Sequence, residues 1–136
     1  MMELDQPKSI FEVFAEKVKK ANELYQIHMP WYIMTSMENH QETVNFFEAN
    51  AYFGLPKQSI YFFSQGRLPM LSENGKLMLK NEGEIVEAAD GNGGIFEALY
   101  QNGVLKQMRK NNIEWLGVGN VDNILLNLID PVWIGL

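Results

Sequence analysis

The sequence predicts an α/β fold. Three observations carry that expectation. Helical and strand-like segments alternate along the chain, three apolar strand segments end in polar residues, and a glycine-rich loop leads into a helix. Strands at Trp31–Met34, Ile60–Phe63 and Ile113–Val121 are expected in one mostly parallel sheet of a three-layer arrangement. The reason is that intervening helices supply the crossovers parallel strands need.

The first helix is expected from Ile10 to Tyr25. Ser9 and Glu12 form an S-x-x-E capping box, and Ile10, Phe14, Val18, Ala21 and Tyr25 recur at helical spacing as one apolar face. Pro30 bars further helix and opens the strand Trp31–Met34, which ends in Thr35-Ser36. A second helix follows from Gln41 to Ala49, with Val44 and Phe47 inward. Ile60–Phe63 is a fully apolar strand ending at Ser64-Gln65. Asn74-Gly75 lies between Met70-Leu71 and Leu77–Leu79 and signals a hairpin with a type I′ turn. Ile85-Val86 forms a further short strand. Asp90–Gly94 is too glycine-rich for a regular element, and a helix is expected after it from Ile95 to Lys110, with Leu99, Leu105 and Met108 toward the core. Asn111-Asn112 stops that helix in the left-handed region. The last strand, Ile113–Val121, ends in Asp122-Asn123.

Composition narrows the function classes. A chain of 136 residues makes one domain or part of a larger one, and 46% hydrophobic content belongs to a globular chain rather than a disordered one. The absence of cysteine excludes disulfide scaffolds and thiolate zinc sites. A net charge of −6 argues against non-specific nucleic-acid binding, and phosphorylated ligands stay admissible because a cation can supply local positive charge. No apolar run reaches the roughly 18 residues a membrane helix needs. Residues Met1–Lys8 show no secretory signal, so a cytoplasmic location is expected. Asn123–Leu136 is strongly apolar and stops without a polar tail, which leads to the expectation of a segment from a longer polypeptide, prone to self-association or only marginally stable.

Several residues have the chemistry for a ligand site. In open α/β sheets ligands bind beyond the carboxyl ends of strands, and Thr35-Ser36, Gln65 and Asp122-Asn123 all stand at such ends. Polar strand ends without a shared site fit the same pattern. In Asp90-Gly91-Asn92-Gly93-Gly94 the glycines let a backbone bend or approach a ligand, and the following helix brings free N–H groups beside the loop. On pattern alone, a tight turn with a helix cap fits slightly better. The loop is no dinucleotide fingerprint, since Phe96 stands where G-x-G-x-x-G needs glycine, and no Lys-Ser/Thr follows to make a P-loop. Asp122 suits Mg²⁺, which takes hard oxygens from one or two carboxylates plus phosphates, and it suits a turn-initiating role as well. Gln65 offers a donor and an acceptor to a base edge, although taken alone it reads better as an exposed loop glutamine. His28 and His40 are isolated and read as structural or surface residues. Lys17, Lys19 and Lys20 read as a solvated helix face.

An ordered set of motifs then carries a resemblance. It runs through Pro7-Lys8-Ser9-Ile10-Phe11, Ala15-Glu16-Lys17-Val18, Trp31–Ser36, Tyr52-Phe53-Gly54-Leu55, Phe62-Phe63-Ser64-Gln65 and Leu68-Pro69. It is strongest in Asp90–Gly94 and in Val121-Asp122-Asn123-Ile124-Leu125 with Asp130-Pro131. The set resembles the UDP-N-acetylglucosamine pyrophosphorylase family over nearly the whole chain.

That resemblance implies a Rossmann-like nucleotidyltransferase fold of the glycosyltransferase-A type, with a mixed, mostly parallel sheet flanked by helices. It implies that residues 1–136 form a middle segment of an incomplete catalytic domain. The implied activity joins UTP and N-acetylglucosamine 1-phosphate into UDP-N-acetylglucosamine and pyrophosphate with Mg²⁺. Gln65 matches the glutamine at the uracil, and Gly91 a glycine close to the nucleotide. Asn92 matches the asparagine at the sugar, and Asp122 the aspartate near phosphates and metal. Asp90, Gly93 and Gly94 support the loop. Related UDP-glucose pyrophosphorylases carry a Gly-His-Gly type loop where this chain has Gly91-Asn92-Gly93, which favours the N-acetylhexosamine branch. Ala89 departs from the family's usual proline. The family's basic nucleotide loop lies upstream of the Pro7 segment, and its sugar-binding part and later lysines lie downstream of Gly135, so the triphosphate's cationic partners are expected outside this chain. An inactive fragment or interaction domain, and a glucose-specific enzyme, are the other readings.

Overall fold

The structure is a computed structural model, and it describes residues 9–81, 83–123, 125, 127, 129, 130 and 132. Four helices are formed among these residues, α1 (Ile10–Tyr25), α2 (His40–Ala49), α3 (Ile95–Gln101) and α4 (Val104–Lys110). Six short strands join them: β1 (Trp31–Thr35), β2 (Ile60–Ser64), β3 (Arg67–Pro69), β4 (Leu79–Asn81), β5 (Glu84–Ile85) and β6 (Glu87–Ala89). They pair as three two-stranded sheets, β1–β2, β3–β6 and β4–β5. The mixed α/β character is therefore as expected, while the single mostly parallel sheet is not what forms.

Contacts divide the chain into two units. The first takes Met1–Tyr32, Asn45–Tyr61 and Ile113–Leu136, and the second takes Ile33–Val44 and Phe62–Asn112.

In the first unit, α1 keeps its expected bounds, and the Ser9 hydroxyl accepts from the Glu12 N–H at 3.2 Å. Its inward face buries Phe14, Ala15 and Ala21. Phe47 is fully buried and centres an aromatic cluster, with ring centroids 5.1 Å from Phe11, 5.6 Å from Trp31 and 5.2 Å from Phe53. Around this cluster the chain makes a turn that no local propensity predicts. Ala51, Tyr52, Phe53 and Gly54 have φ of +49°, +53°, +53° and +80°. Left-handed backbone costs about 1–2 kcal/mol per non-glycine residue, so the packing of Phe53 and Tyr52 on Phe47 must hold it.

The expected strand Ile113–Val121 is absent, for those residues carry no regular structure. Gly117 and Gly119 interrupt the run, and glycine within a strand costs entropy and packs nothing. Trp115 is 73% exposed, so the apolar spacing there is not buried by a sheet. Of the apolar tail, residues 124, 126, 128, 131 and 133–136 lie outside the described residues, as do Met1–Lys8. Among the described residues no helix is long and apolar enough to cross a membrane.

In the second unit, Ile33, Thr35, Phe63, Ala98, Leu99, Val104 and Met108 are buried. β3 pairs antiparallel with β6, with Arg67 opposite Ala89, Leu68 opposite Ala88 and Pro69 opposite Glu87. Beyond this ladder three backbone segments meet in a ring of hydrogen bonds. Met70 N–H donates to Val86 O, Val86 N–H to Met78 O and Met78 N–H to Met70 O, at 2.8, 2.8 and 2.9 Å. The hairpin at Asn74-Gly75 exists, bridged by Leu71 and Leu77. Its turn is not type I′, however, because that type needs left-handed φ at both central residues and only Gly75 has it, at +73°. Gly75 N–H instead donates to Ser72 O and Ser72 N–H to Lys76 O, both at 2.8 Å, closing a longer loop. The short strand expected at Ile85-Val86 is β5, one residue earlier.

The single helix expected over Ile95–Lys110 is two seven-residue helices. Gly103 stands between them at φ +71°, and the Asn102 side chain donates to Ala98 O at 2.8 Å, closing the first helix. The stop after the second comes as expected, with Asn112 left-handed at φ +54°.

Candidate functional site

The site residues of the second unit are placed by one short ladder. Its register continues past Arg67–Ala89, and Asp90 N–H donates to Gly66 O at 3.3 Å. Gln65 precedes Gly66 on one side of that last hydrogen bond, and Gly91 follows Asp90 on the other. Gln65 is anchored from its other side too, for its N–H donates to Thr35 O at 2.8 Å. Thr35 is buried, and its hydroxyl lies 2.7 Å from His40 Nδ1 and donates to Phe63 O at 3.3 Å. The two strand ends Thr35-Ser36 and Gln65 therefore do meet. Asp122 belongs to the first unit.

The glycine-rich loop turns sharply at Gly91, which has φ +72° and ψ −164°. That region of backbone space is essentially open to glycine alone. Asn92–Gly94 follow as one 3-10 turn, with Gly94 N–H donating to Gly91 O at 3.3 Å, and Asn92 and Gly93 are exposed. The helix whose free N–H groups were expected beside the loop is α3, of only seven residues.

Asp90 is half-buried. Its Oδ1 is buried without a hydrogen-bond partner among the described residues. Its carboxyl group lies over two glycines. A Cβ added to Gly66 would lie 2.8 Å from Asp90 Oδ2, and one added to Gly94 would overlap the carboxyl carbon and both oxygens. Neither Gly66 nor Asp90's contact with it was among the residues singled out from the sequence. The signal was a glycine directly after Gln65, without an evident turn to require it.

A cleft of about 220 Å³ opens beside Gln65, lined by Ser64, Gln65, Gly66, Glu97, Ala98, Gln101 and Asn102. Asn102 ties α3 to the end of β2 by donating to Ser64 O at 2.9 Å. On the ladder's other flank Arg67 pairs with Glu38 and reaches Glu87 at 3.8 Å. The Glu38 carboxyl is held below its ordinary range first by a hydrogen bond from its own backbone N–H, which desolvation opposes, with Ser36 and then Arg67 lowering it further. Glu38 is exposed, so this pair orients Arg67 more than it stabilises the fold.

Among the described residues no group of three His, Asp or Glu side chains could hold a metal ion. Asp122 is exposed, in a turn closed by Asn123 N–H donating to Asn120 O at 3.1 Å. One accessible carboxylate fits a Mg²⁺ ion that keeps waters and is shared with substrate phosphates, and does not fit a metal caged by protein alone. His28 and His40 each meet one hydroxyl, of Ser59 at 3.1 Å and Thr35 at 2.7 Å, as structural histidines do.

Comparison with known proteins gives this geometry a family. A sequence model described as "UTP--glucose-1-phosphate uridylyltransferase" matches residues 1–135. The "Probable UDP-N-acetylglucosamine pyrophosphorylase" of Schizosaccharomyces pombe is 39% identical over 137 residues, which are 94% of this chain and 29% of that protein. The UDP-N-acetylglucosamine pyrophosphorylase of Saccharomyces cerevisiae is 35% identical over 97% of this chain and 28% of its own length. Among solved structures, the uridine diphosphate N-acetylglucosamine pyrophosphorylase of Trypanosoma brucei in complex with inhibitor superposes with a TM-score of 0.83 at 36% identity, covering 97% of this chain and 29% of that one. The chain thus spans under a third of the length of these relatives. With the family model matching residues 1–135, the chain belongs to the UTP--glucose-1-phosphate uridylyltransferase family.

Proposed function

We propose that the protein carrying this chain transfers a uridylyl group from UTP to N-acetylglucosamine 1-phosphate, forming UDP-N-acetylglucosamine and pyrophosphate. The observation that supports the reading is the β3–β6 ladder, continued by Asp90 N–H donating to Gly66 O, whose two strands run on to Gln65 on one side and to Gly91 and Asn92 on the other. One amide for a base and one for a sugar then flank a backbone turn free of side chain at Gly91.

The chemistry follows from these positions. A phosphate oxygen of the sugar phosphate attacks the α-phosphorus of UTP, a new P–O bond forms, and the bond to the β-phosphate oxygen breaks as pyrophosphate leaves. The protein's task is positioning and charge stabilisation, with no nucleophile of its own. The Gln65 amide pairs with the uracil edge, donating to a carbonyl oxygen and accepting from the ring N–H. Asn92, exposed on its turn, reaches the sugar. By the family resemblance, and independently of that ladder, Asp122 would hold Mg²⁺, which would supply positive charge to the phosphates. The names of the relatives and the Asn92 position together favour the N-acetylhexosamine branch over glucose.

The test is an assay of the purified protein with UTP, Mg²⁺ and each of three sugar 1-phosphates, N-acetylglucosamine, N-acetylgalactosamine and glucose, following pyrophosphate release. Product with an N-acetylhexosamine 1-phosphate and little with glucose 1-phosphate is expected. Preference for glucose 1-phosphate would overturn the branch, and no uridylyl transfer to any of them would overturn the function.

A further inference from the structure

The loop glycines sort by what demands each. Gly91 is required by its backbone, at φ +72° and ψ −164°. Gly94 has φ −77° and ψ 0°, and Gly66 has no left-handed φ, so any residue could adopt their backbone. What an added side chain would meet at both, and most severely at Gly94, is the carboxyl group of Asp90, which would have to move. Gly93 meets nothing within 4 Å and has no left-handed φ, so neither reason applies to it.

One side chain thus accounts for two of the site's glycines. Its seat is also costly. Asp90 Oδ1 is buried without a hydrogen-bond partner among the described residues, and an unpaired buried polar atom opposes folding. A position serving stability alone would favour a smaller or apolar side chain. A buried oxygen left without a partner calls for another explanation, and its location supplies one. Gly66 follows Gln65 on one strand, and Gly94 ends the turn that carries Gly91 and Asn92 on the other.

We propose that Asp90 is a positioning residue, whose carboxyl group, seated over Gly66 and Gly94, sets the gap between Gln65 and the Gly91–Asn92 turn. The kinetic part of this inference rests on the uridylyl-transfer reading, and the packing part does not. Because the two sides of the gap carry the contacts for base and sugar, loosening it displaces both substrates at once. Loss of Asn92 alone affects only one.

The experiment has two arms. In thermal unfolding, Gly94→Ala is introduced into the wild-type protein and into an Asp90→Ala background. The added methyl should lower Tm by about 2–8 °C in the first and have much less effect in the second, because its obstacle is gone. An equal loss in both backgrounds would overturn the seat, and Asp90→Ser replaces Asp90→Ala in the cycle should the latter not fold. In steady-state kinetics, Asp90→Ala should raise KM for both UTP and the sugar phosphate and lower kcat/KM by about 10²-fold, the loss expected of a misplaced contact. Asp90→Asn, which keeps the shape, should restore both KM values to near wild type. A merely structural role would reduce the folded fraction and leave KM unchanged, so wild-type KM values in Asp90→Ala would overturn the positioning role. An inactive wild-type protein would sink the uridylyl-transfer reading and the kinetic role with it, while the unfolding arm would still decide the seat.

Discussion

Two alanine substitutions two residues apart should move stability in opposite directions. Gly91 sits at φ +72° and ψ −164°, a region L-residues scarcely populate, and its Cβ direction is open, with no heavy atom within 4 Å. Gly91→Ala therefore carries a backbone penalty and no steric one, of order 1–3 kcal/mol. Gly93 also faces open space, and its φ is not left-handed. Gly93→Ala then acts chiefly by restricting the unfolded chain, which stabilises by about 0.4–1 kcal/mol. The two variants should differ by roughly 1.5–4 kcal/mol. Urea unfolding reads this directly. With m of about 1–3 kcal/mol per molar, the midpoints should separate by about 1 M, Gly91→Ala below wild type and Gly93→Ala at or above it. Equal shifts of the same sign would refute the reasoning, because they would mean that the loop does not hold Gly91 in this conformation. A displaced turn would also move Asn92, so Gly91→Ala should weaken the sugar phosphate as well.

The remaining predictions are kinetic and structural. Asp122→Asn should lower kcat by about 10²–10³ with little change in KM for UTP, since a charge held on the phosphates matters most in the transition state. Wild-type kcat at saturating Mg²⁺ would return Asp122 to a turn-forming role. Gln65→Ala should relax selection for uracil at a cost of about 1–3 kcal/mol, by analogy with base-edge contacts, measured as the UTP-to-CTP ratio of kcat/KM. Asn92→Ala should raise KM for the sugar phosphate and leave UTP titration nearly unchanged, so a parallel loss of both would place Asn92 elsewhere. Phe47→Ala should cost about 3–5 kcal/mol in denaturant unfolding, because its fully buried ring centres the aromatic cluster. A loss under 1 kcal/mol would show that the cluster does not form.

Elements with a local cause were legible in the sequence. The Ser9 cap and the apolar spacing of α1 place both of its ends, and Pro30 with its apolar run places β1. Features with a tertiary cause were not. Ala51–Phe53 adopt left-handed backbone because aromatic rings close on Phe47, and nothing in Ala-Tyr-Phe prefers it. Gly103 breaks a helical pattern that single glycines are often able to pass, and only the turn with Asn102 makes it a boundary. β3 contains Pro69, which argues against a strand, yet it pairs through the register with Glu87.

The site shows the same division one level higher. The rule that ligands gather at the carboxyl ends of strands pointed to Gln65 and Thr35, which do meet through the Gln65 N–H. The loop that begins at Asp90 is tied to Gly66 by a different route, an antiparallel ladder of three residue pairs that no periodicity announces. Residue types could name the amides and the glycines as candidates. They could not say which glycine answers to backbone and which to a neighbour, because that depends on where the carboxyl group of Asp90 comes to rest. A glycine cluster in a sequence therefore marks a place where side chains are excluded, and only the packing around it identifies what excludes them. At Gly91 it is the turn itself. At Gly66 and Gly94 it is a single acid, so changing Asp90 should change what those two positions tolerate, whereas Gly91 should remain intolerant in every background.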